Sequence, residues 1–129
     1  MVRMRAGQAV VEALRAEGVT HVFGLVGSSY IEILDALYND PDIKFIGTRH
    51  EQGASFMALG YARASGRTGV CMATNGPGVA NLLTGIVGAH LAPADVVAIV
   101  GAPMMEHLGR GSIQEFDQVG MYKPVTKLS

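Results

Sequence analysis

The chain of 129 residues has one cysteine, no long apolar run and almost no net charge. A lone cysteine cannot close an internal disulfide, which fits a reducing compartment. Cys71 lies in the apolar run Gly69-Val70-Cys71-Met72-Ala73 with no base beside it, so it reads as a buried strand residue rather than a nucleophile. No stretch approaches the roughly 20 uninterrupted apolar residues of a membrane helix. Met1-Val2-Arg3-Met4-Arg5 is not followed by the apolar block of a signal peptide. The expectation is a cytoplasmic protein with no membrane partner. A net charge of −1, with scattered basic residues, removes the electrostatic case for nucleic acid, which needs a clustered basic surface.

What the chain does have is glycine. Its seventeen glycines fall at turns between short apolar segments, the signature of an α/β fold with tight connections. The length suits one domain with one hydrophobic core, spanning 1–129. Ala6, Val10, Ala13 and Leu14 predict an amphipathic helix that Gly18 ends. A buried strand is expected over 21–26. A Gly27-Ser28-Ser29 turn then opens a helix with Ile31, Leu34 and Leu37 on one face, closed by Asn39-Asp40-Pro41-Asp42. A strand at 44–47 leads into a helix running to about Ser65, in which Ala54, Ala58 and Ala62 recur at four-residue spacing. Such a face lets another helix or a sheet approach closely. A strand over 68–73, a helix from the Asn75-Gly76-Pro77-Gly78 turn through His90, and a strand over 95–101 follow. The pattern loosens from Ala102 into a loop, a short helix and an extended segment, and Pro124 to Ser129 resembles the approach to another helix. The predicted fold class is α/β: a doubly wound, mainly parallel sheet with helices on both faces.

In such a sheet, ligands gather beyond the carboxyl ends of the strands. The polar turns Gly27-Ser28-Ser29, Arg49-His50-Glu51 and Asn75 to Gly78, with the loop leading to Gln114-Glu115, converge on that edge. Each has a structural reading as well. Glu51 at a helix start is what the helix dipole favours, and a Gly-Pro turn is ordinary punctuation. The turn at 75–78 lacks the lysine of a P-loop and the glycine spacing of a dinucleotide fingerprint. His50, His90 and His107 are too far apart in sequence to suggest a metal site.

Taken in order, the segments resemble the N-terminal, pyrimidine-binding domain of thiamine diphosphate (ThDP) enzymes of the acetolactate synthase type. The matching stretches are His21-Val22-Phe23-Gly24 with Gly27, Arg49-His50-Glu51-Gln52-Gly53-Ala54, Met57-Ala58, and Gly60-Tyr61-Ala62-Arg63. They continue with Gly76-Pro77-Gly78, Asn81, Thr84-Gly85, Gln114-Glu115 and Pro124-Val125-Thr126-Lys127. The resemblance implies that Glu51 is the catalytic glutamate, sharing a proton with N1′ of the cofactor's aminopyrimidine so that the 4′-amino group can take the C2 proton. It implies that Val26, Gly27, Pro77 and Asn81 lie against the cofactor and that Ser28 and Gln114 face substrate. His50 is expected to shape the Glu51 turn.

The sequence departs from acetolactate synthases where Val26 replaces the usual proline, Ser28 a small residue, Asn75 a serine and Ile113 a phenylalanine. Several of these features are similar to sulfoacetaldehyde acetyltransferases. A nucleotide-binding module and a non-catalytic interaction domain are the alternatives from other classes. The family's second motif, Gly-Asp-Gly followed by Asn-Asn, which holds Mg²⁺ and the diphosphate, occurs nowhere in the chain. The chain is therefore expected to be a fragment cut short at its C-terminal end, or one subunit of a split enzyme. Its expected partners are a diphosphate-binding domain and further copies of itself, in a dimer or tetramer. Some relatives also carry FAD, which the resemblance leaves open for the parent enzyme.

Overall fold

The computed structural model describes residues 3–129. Helix α1 (Ala6–Ala16) buries Val11 and Leu14 and stops where Gly18 takes a left-handed φ of 70°. Strand β1 (His21–Gly24) follows, then a 3-10 turn (Ser28–Tyr30) running into α2 (Ile31–Tyr38). Strand β2 (Lys44–Gly47) leads to α3 (Glu51–Ser65). The His50 side chain caps α3 by accepting from the Gln52 N–H at 3.2 Å, and left-handed Gly66 ends it. Strand β3 (Gly69–Ala73) is buried along its whole length, as its continuous apolar run predicts. Helix α4 (Pro77–Leu91) starts with proline in its first turn, where the missing N–H costs nothing. Strand β4 (Val96–Val100), a 3-10 turn (Met105–His107), the short helix α5 (Gln118–Tyr122) and a 3-10 turn (Lys123–Val125) complete the fold.

The four strands are parallel in the order β2-β1-β3-β4. β1 pairs with β2 from His21↔Lys44 to Gly24↔Gly47 and with β3 from Val22↔Val70 to Gly24↔Met72. Alternation along the strands splits the core into two layers. Val22, Val70 and Met72 pack with Val11, Leu14 and Leu37 of α1 and α2. Phe23, Cys71 and Ala73 face the other way, onto Ala54 and Ala58 of α3, Val79 and Leu82 of α4, and Tyr122 of α5. The expected doubly wound sheet with helices on both faces is what forms. α3 lies close because its contact residues are small: a Cβ on Gly69 would sit 2.7 Å from the Ala58 carbonyl carbon.

β1 is shorter than its apolar sequence suggests. The Gly24 carbonyl accepts from the Thr48 N–H at 2.8 Å, and the Tyr30 hydroxyl then grips the Leu25 carbonyl. That bond turns the chain out of the sheet and leaves Val26 68% exposed. The segment after β4 lacks periodicity because polar side chains hold it. Among the described residues no helix is long and apolar enough to cross a membrane.

Candidate active site

The strand order reverses between β1 and β3, since the chain leaves β1 towards β2 and returns to β3 on its other side. The crevice beyond the carboxyl ends of those two strands is where such a fold presents a ligand site. α3 and α4 both begin at this edge, and their first turns put Glu51 and Gly78 side by side. Glu51 is only 7% exposed. Its Oε2 accepts from Asn81 Nδ2 at 3.0 Å, its only hydrogen bond among the described residues. Oε1 faces α4 at Gly78, where a Cβ would come within 3.3 Å of it. The carboxyl group thus lies between the first turns of two helices.

The close approach of α3 and α4 makes this pairing. One turn beyond Asn81, Gly85 lies against Ser55, and a Cβ at Gly85 would be 2.7 Å from the Ser55 carbonyl carbon. Ser55 is itself fully buried, its hydroxyl donating to the Gln52 carbonyl at 3.0 Å. Small residues on both helices therefore bring the Asn81 amide within reach of Glu51. Pro77 is exposed at the start of α4, beside this pair.

A second group of predicted residues meets at the turn between β3 and α4. Gly27 lies on Thr74, where a Cβ would be 2.5 Å from the Thr74 Cβ. Ser29, next to the exposed Ser28, shares a hydrogen bond with the Thr74 hydroxyl at 2.9 Å and accepts from the Asn75 N–H at 3.3 Å. From the other side comes Gln114, the only non-glycine residue with positive φ (62°) among the described residues. It presses on Gly76, where a Cβ would lie 2.5 Å from the Gln114 Cβ. The buried Asn75 amide points at the carbonyls of Ile113 and Gln114, both 3.5 Å away. The structure brings Glu51, Asn81 and the Pro77-Gly78 turn together, and gathers Gly27 and Gln114 around Thr74 to Gly76. No hydrogen bond among the described residues joins Ser28, Val26 or Gln114 to Glu51.

Two residues escaped the sequence reading. Burial raises the Tyr30 phenol to a pKa of about 12, and the charge of Glu51 adds to the effect. Tyr30 is therefore an uncharged neighbour of the carboxylate, with no motif to announce it. Gln118 accepts from the Gly76 N–H at 3.0 Å and donates to the Gly101 carbonyl at 2.9 Å. The sequence gives no sign of it, because both partners are backbone groups, one at the N-cap of α4 and one just past β4. Grooves of about 440 Å³ between α1 and α2 and about 410 Å³ beside Arg63, Arg67 and Asp95 lie elsewhere and do not include Glu51. Among the described residues no group of three or more His, Cys, Asp or Glu could hold a metal ion.

Residues 4–121 match the family described as "Thiamine pyrophosphate enzyme, N-terminal TPP binding domain". The chain is 48% identical over 126 residues to the acetolactate synthase isozyme 2 large subunit of Escherichia coli, covering 98% of this chain and 23% of that protein. It is 44% identical over 124 residues to a probable acetolactate synthase large subunit of Methanocaldococcus jannaschii, covering 96% and 21%. Against the acetolactate synthase large subunit of Corynebacterium glutamicum it is 42% identical over 125 residues, covering 97% and 20%. The chain spans about a fifth of the length of these relatives.

Proposed function

The chain belongs to the thiamine pyrophosphate enzyme family, as its N-terminal TPP-binding domain, and from that premise we propose that it activates ThDP for decarboxylation of a 2-oxoacid and ligation to a second carbonyl compound. The observation that carries the proposal is the buried Glu51 carboxyl with one oxygen tied to Asn81 and the other left to accept. That arrangement fits the edge of an aminopyrimidine. Asn81 fixes Oε2, while the bare Cα of Gly78 leaves room beside Oε1 for a flat ring. When bound between Glu51, Asn81 and the Gly78 turn, ThDP would supply a nucleophilic thiazolium carbon and an electron sink for decarboxylation. Glu51 holds and returns a proton at N1′, as a general acid and base. Tyr30 walls the site without adding charge.

We assign the diphosphate and Mg²⁺ to a separate domain, because among the described residues no group of three or more His, Cys, Asp or Glu could hold a cation. Val26, Gly27 and Pro77 contribute the cofactor-facing surface, and Ser28 and Gln114 the substrate-facing rim. The positions that set this sequence apart from acetolactate synthases, Val26, Ser28, Asn75 and Ile113, all lie on the β1 and β3 loops and the 102–118 segment. Glu51 and Asn81 lie on α3 and α4. Activation of the cofactor is thus shared with those enzymes, and the acceptor is the variable part. A cytoplasmic setting suits the reduced thiol of Cys71.

The test is Glu51→Gln in the enzyme assembled with its diphosphate-binding domain. Quenched NMR of deuterium exchange at C2 of bound ThDP should show a loss of about 10²–10⁴-fold, the usual contribution of a general acid-base group. An unchanged exchange rate removes Glu51 from the mechanism.

A further inference from the structure

The 102–118 segment has no periodic apolar face, yet it delivers Gln114 to the β3–α4 turn in a backbone conformation that glycine favours. A left-handed glutamine persists only where the surroundings hold it there. Two contacts meet Gln114 directly: Gly76 offers a flat seat, and the Asn75 amide faces the carbonyls of Ile113 and Gln114 at the long distance of 3.5 Å. Gln118 does not touch Gln114 but acts on the turn beneath it, through shorter bonds. Its Oε1 accepts from the Gly76 N–H and its Nε2 donates to the Gly101 carbonyl. One amide therefore ties the end of β4 to the last residue of the turn on which Gln114 rests, the N-cap of α4. The helix continues from it into Pro77 and Gly78, beside Glu51.

We propose that Gln118 is a positioning residue. It locks the 102–118 segment across the start of α4 and the end of β4, and so sets Gln114 at the substrate rim without touching substrate itself. Only a side chain with an acceptor and a donor at its tip can make both bonds. Glutamate would keep the bond to the Gly76 N–H and lose the one to the Gly101 carbonyl, whereas leucine would fill the space and lose both. The effect on substrate rests on the proposed function, but the clamp does not.

Hydrogen exchange on the chain itself, read residue by residue, separates the two. In Gln118→Leu the Gly76 amide and the hydrogen-bonded amides of Arg110, Ser112 and Glu115 should exchange about five- to tenfold faster, the scale of one lost net hydrogen bond, while β1 and α3 amides hold their rates. In Gln118→Glu the Gly76 amide should stay protected and only those of Arg110, Ser112 and Glu115 should loosen, so the proposal remains open to refutation if the leucine variant does not fold. Unchanged exchange at these amides, or equal acceleration of every amide, overturns the clamp. In the assembled enzyme, Gln118→Leu should raise KM for the second carbonyl substrate at least about fivefold, with ThDP affinity unchanged. Local loosening with no change in KM overturns the positioning role. If the wild-type assembled enzyme lacked ThDP-dependent turnover altogether, the proposed function would fall while the exchange data still judged the clamp.

Discussion

Replacing Gly85 by alanine adds one methyl group where α3 and α4 touch. That methyl would lie 2.5 Å from the Ser55 Cβ and 2.7 Å from its carbonyl carbon. Carbon atoms pack without repulsion at about 3.5–4.0 Å, so the helices must part by roughly 1 Å. Neither neighbour can rotate away, because a Cβ and a carbonyl carbon are fixed by the helix that carries them. Overpacking of this kind costs typically about 1–3 kcal/mol, and alanine returns close to 1 kcal/mol of helix propensity. With backbone atoms in the clash, the net loss should be about 1–2 kcal/mol. Gly60 supplies the control. It lies within α3 with nothing within 4 Å of its would-be Cβ. The same substitution there should gain up to about 1 kcal/mol.

Urea unfolding followed by circular dichroism distinguishes the signs. At a slope of about 2 kcal/mol per molar, Gly85→Ala should lower the midpoint by about 0.5–1 M and Gly60→Ala should raise it by up to about 0.5 M. Protein concentration must be matched, because self-association shifts apparent stability. The first variant has a functional consequence as well. Asn81 precedes Gly85 by four residues, on the same face of α4, so parting the helices draws its amide away from Glu51. Equal stabilisation by both alanines would refute the reasoning. The α3–α4 contact would then be slack, and the Glu51–Asn81 bond would not depend on it.

The remaining predictions concern single groups and the chain as a whole. Backbone N–H groups of Gly109 and Ser112 hold the Glu115 carboxyl below its ordinary range. A depressed carboxyl stabilises the fold above its unfolded pKa, and that contribution disappears as pH falls through the folded value. Exchange protection of residues 109–112 should therefore be level at neutral pH and drop in acid, and Glu115→Gln should abolish that pH dependence; a persistent acid drop in the variant would point to another group. Burial pushes the Cys71 thiol up to about 12. A thiol reagent at pH 8 should label it only at the rate of unfolding, and rapid labelling of the folded chain would contradict its burial between β3 and the helices α3 and α4. The 129-residue chain alone should associate at least to a dimer and bind ThDP weakly, since most of the electrostatic anchoring is assigned elsewhere and Phe56, Met57 and Val97 remain exposed. Sedimentation and titration calorimetry test this, and micromolar ThDP binding by a monomer would end the proposed division of labour.

Regular elements were legible because periodicity reports burial. β3 reads as an unbroken apolar run and is buried at every residue, and the Ala54, Ala58, Ala62 spacing marks the face that α3 turns to the core. The end of β1 was not legible. Leu25 and Val26 continue an apolar run, and only the Tyr30 hydroxyl, brought round by the 3-10 turn, takes the Leu25 carbonyl out of the sheet. Glu51 could be singled out through its neighbours in sequence, since they carry the family resemblance. Tyr30 and Gln118 could not. Each acts through a backbone group or a charge that reaches it only once the sheet is assembled, and no spacing in the chain encodes that.

This difference in legibility follows the way the two halves of the site are built. Glu51, Asn81, Ser55 and Gly85 form a contact in which an atom added at Gly85 meets backbone, so few residues are permitted there. The rim is built otherwise: Ser29 on Thr74, the Asn75 amide facing the Gln114 carbonyl, and Gln118 on Gly76 and Gly101 are single polar contacts between loops. One such contact is worth about 1 kcal/mol net, so any of them can be exchanged for another without loss of the fold. On the proposed function, the rigid contact presents a carboxyl that cannot wander from N1′. The replaceable contacts decide what stands opposite it. Substrate scope can then drift at Val26, Ser28, Asn75 and Ile113 while cofactor activation stays fixed, because no atom of the rim holds Glu51 in place.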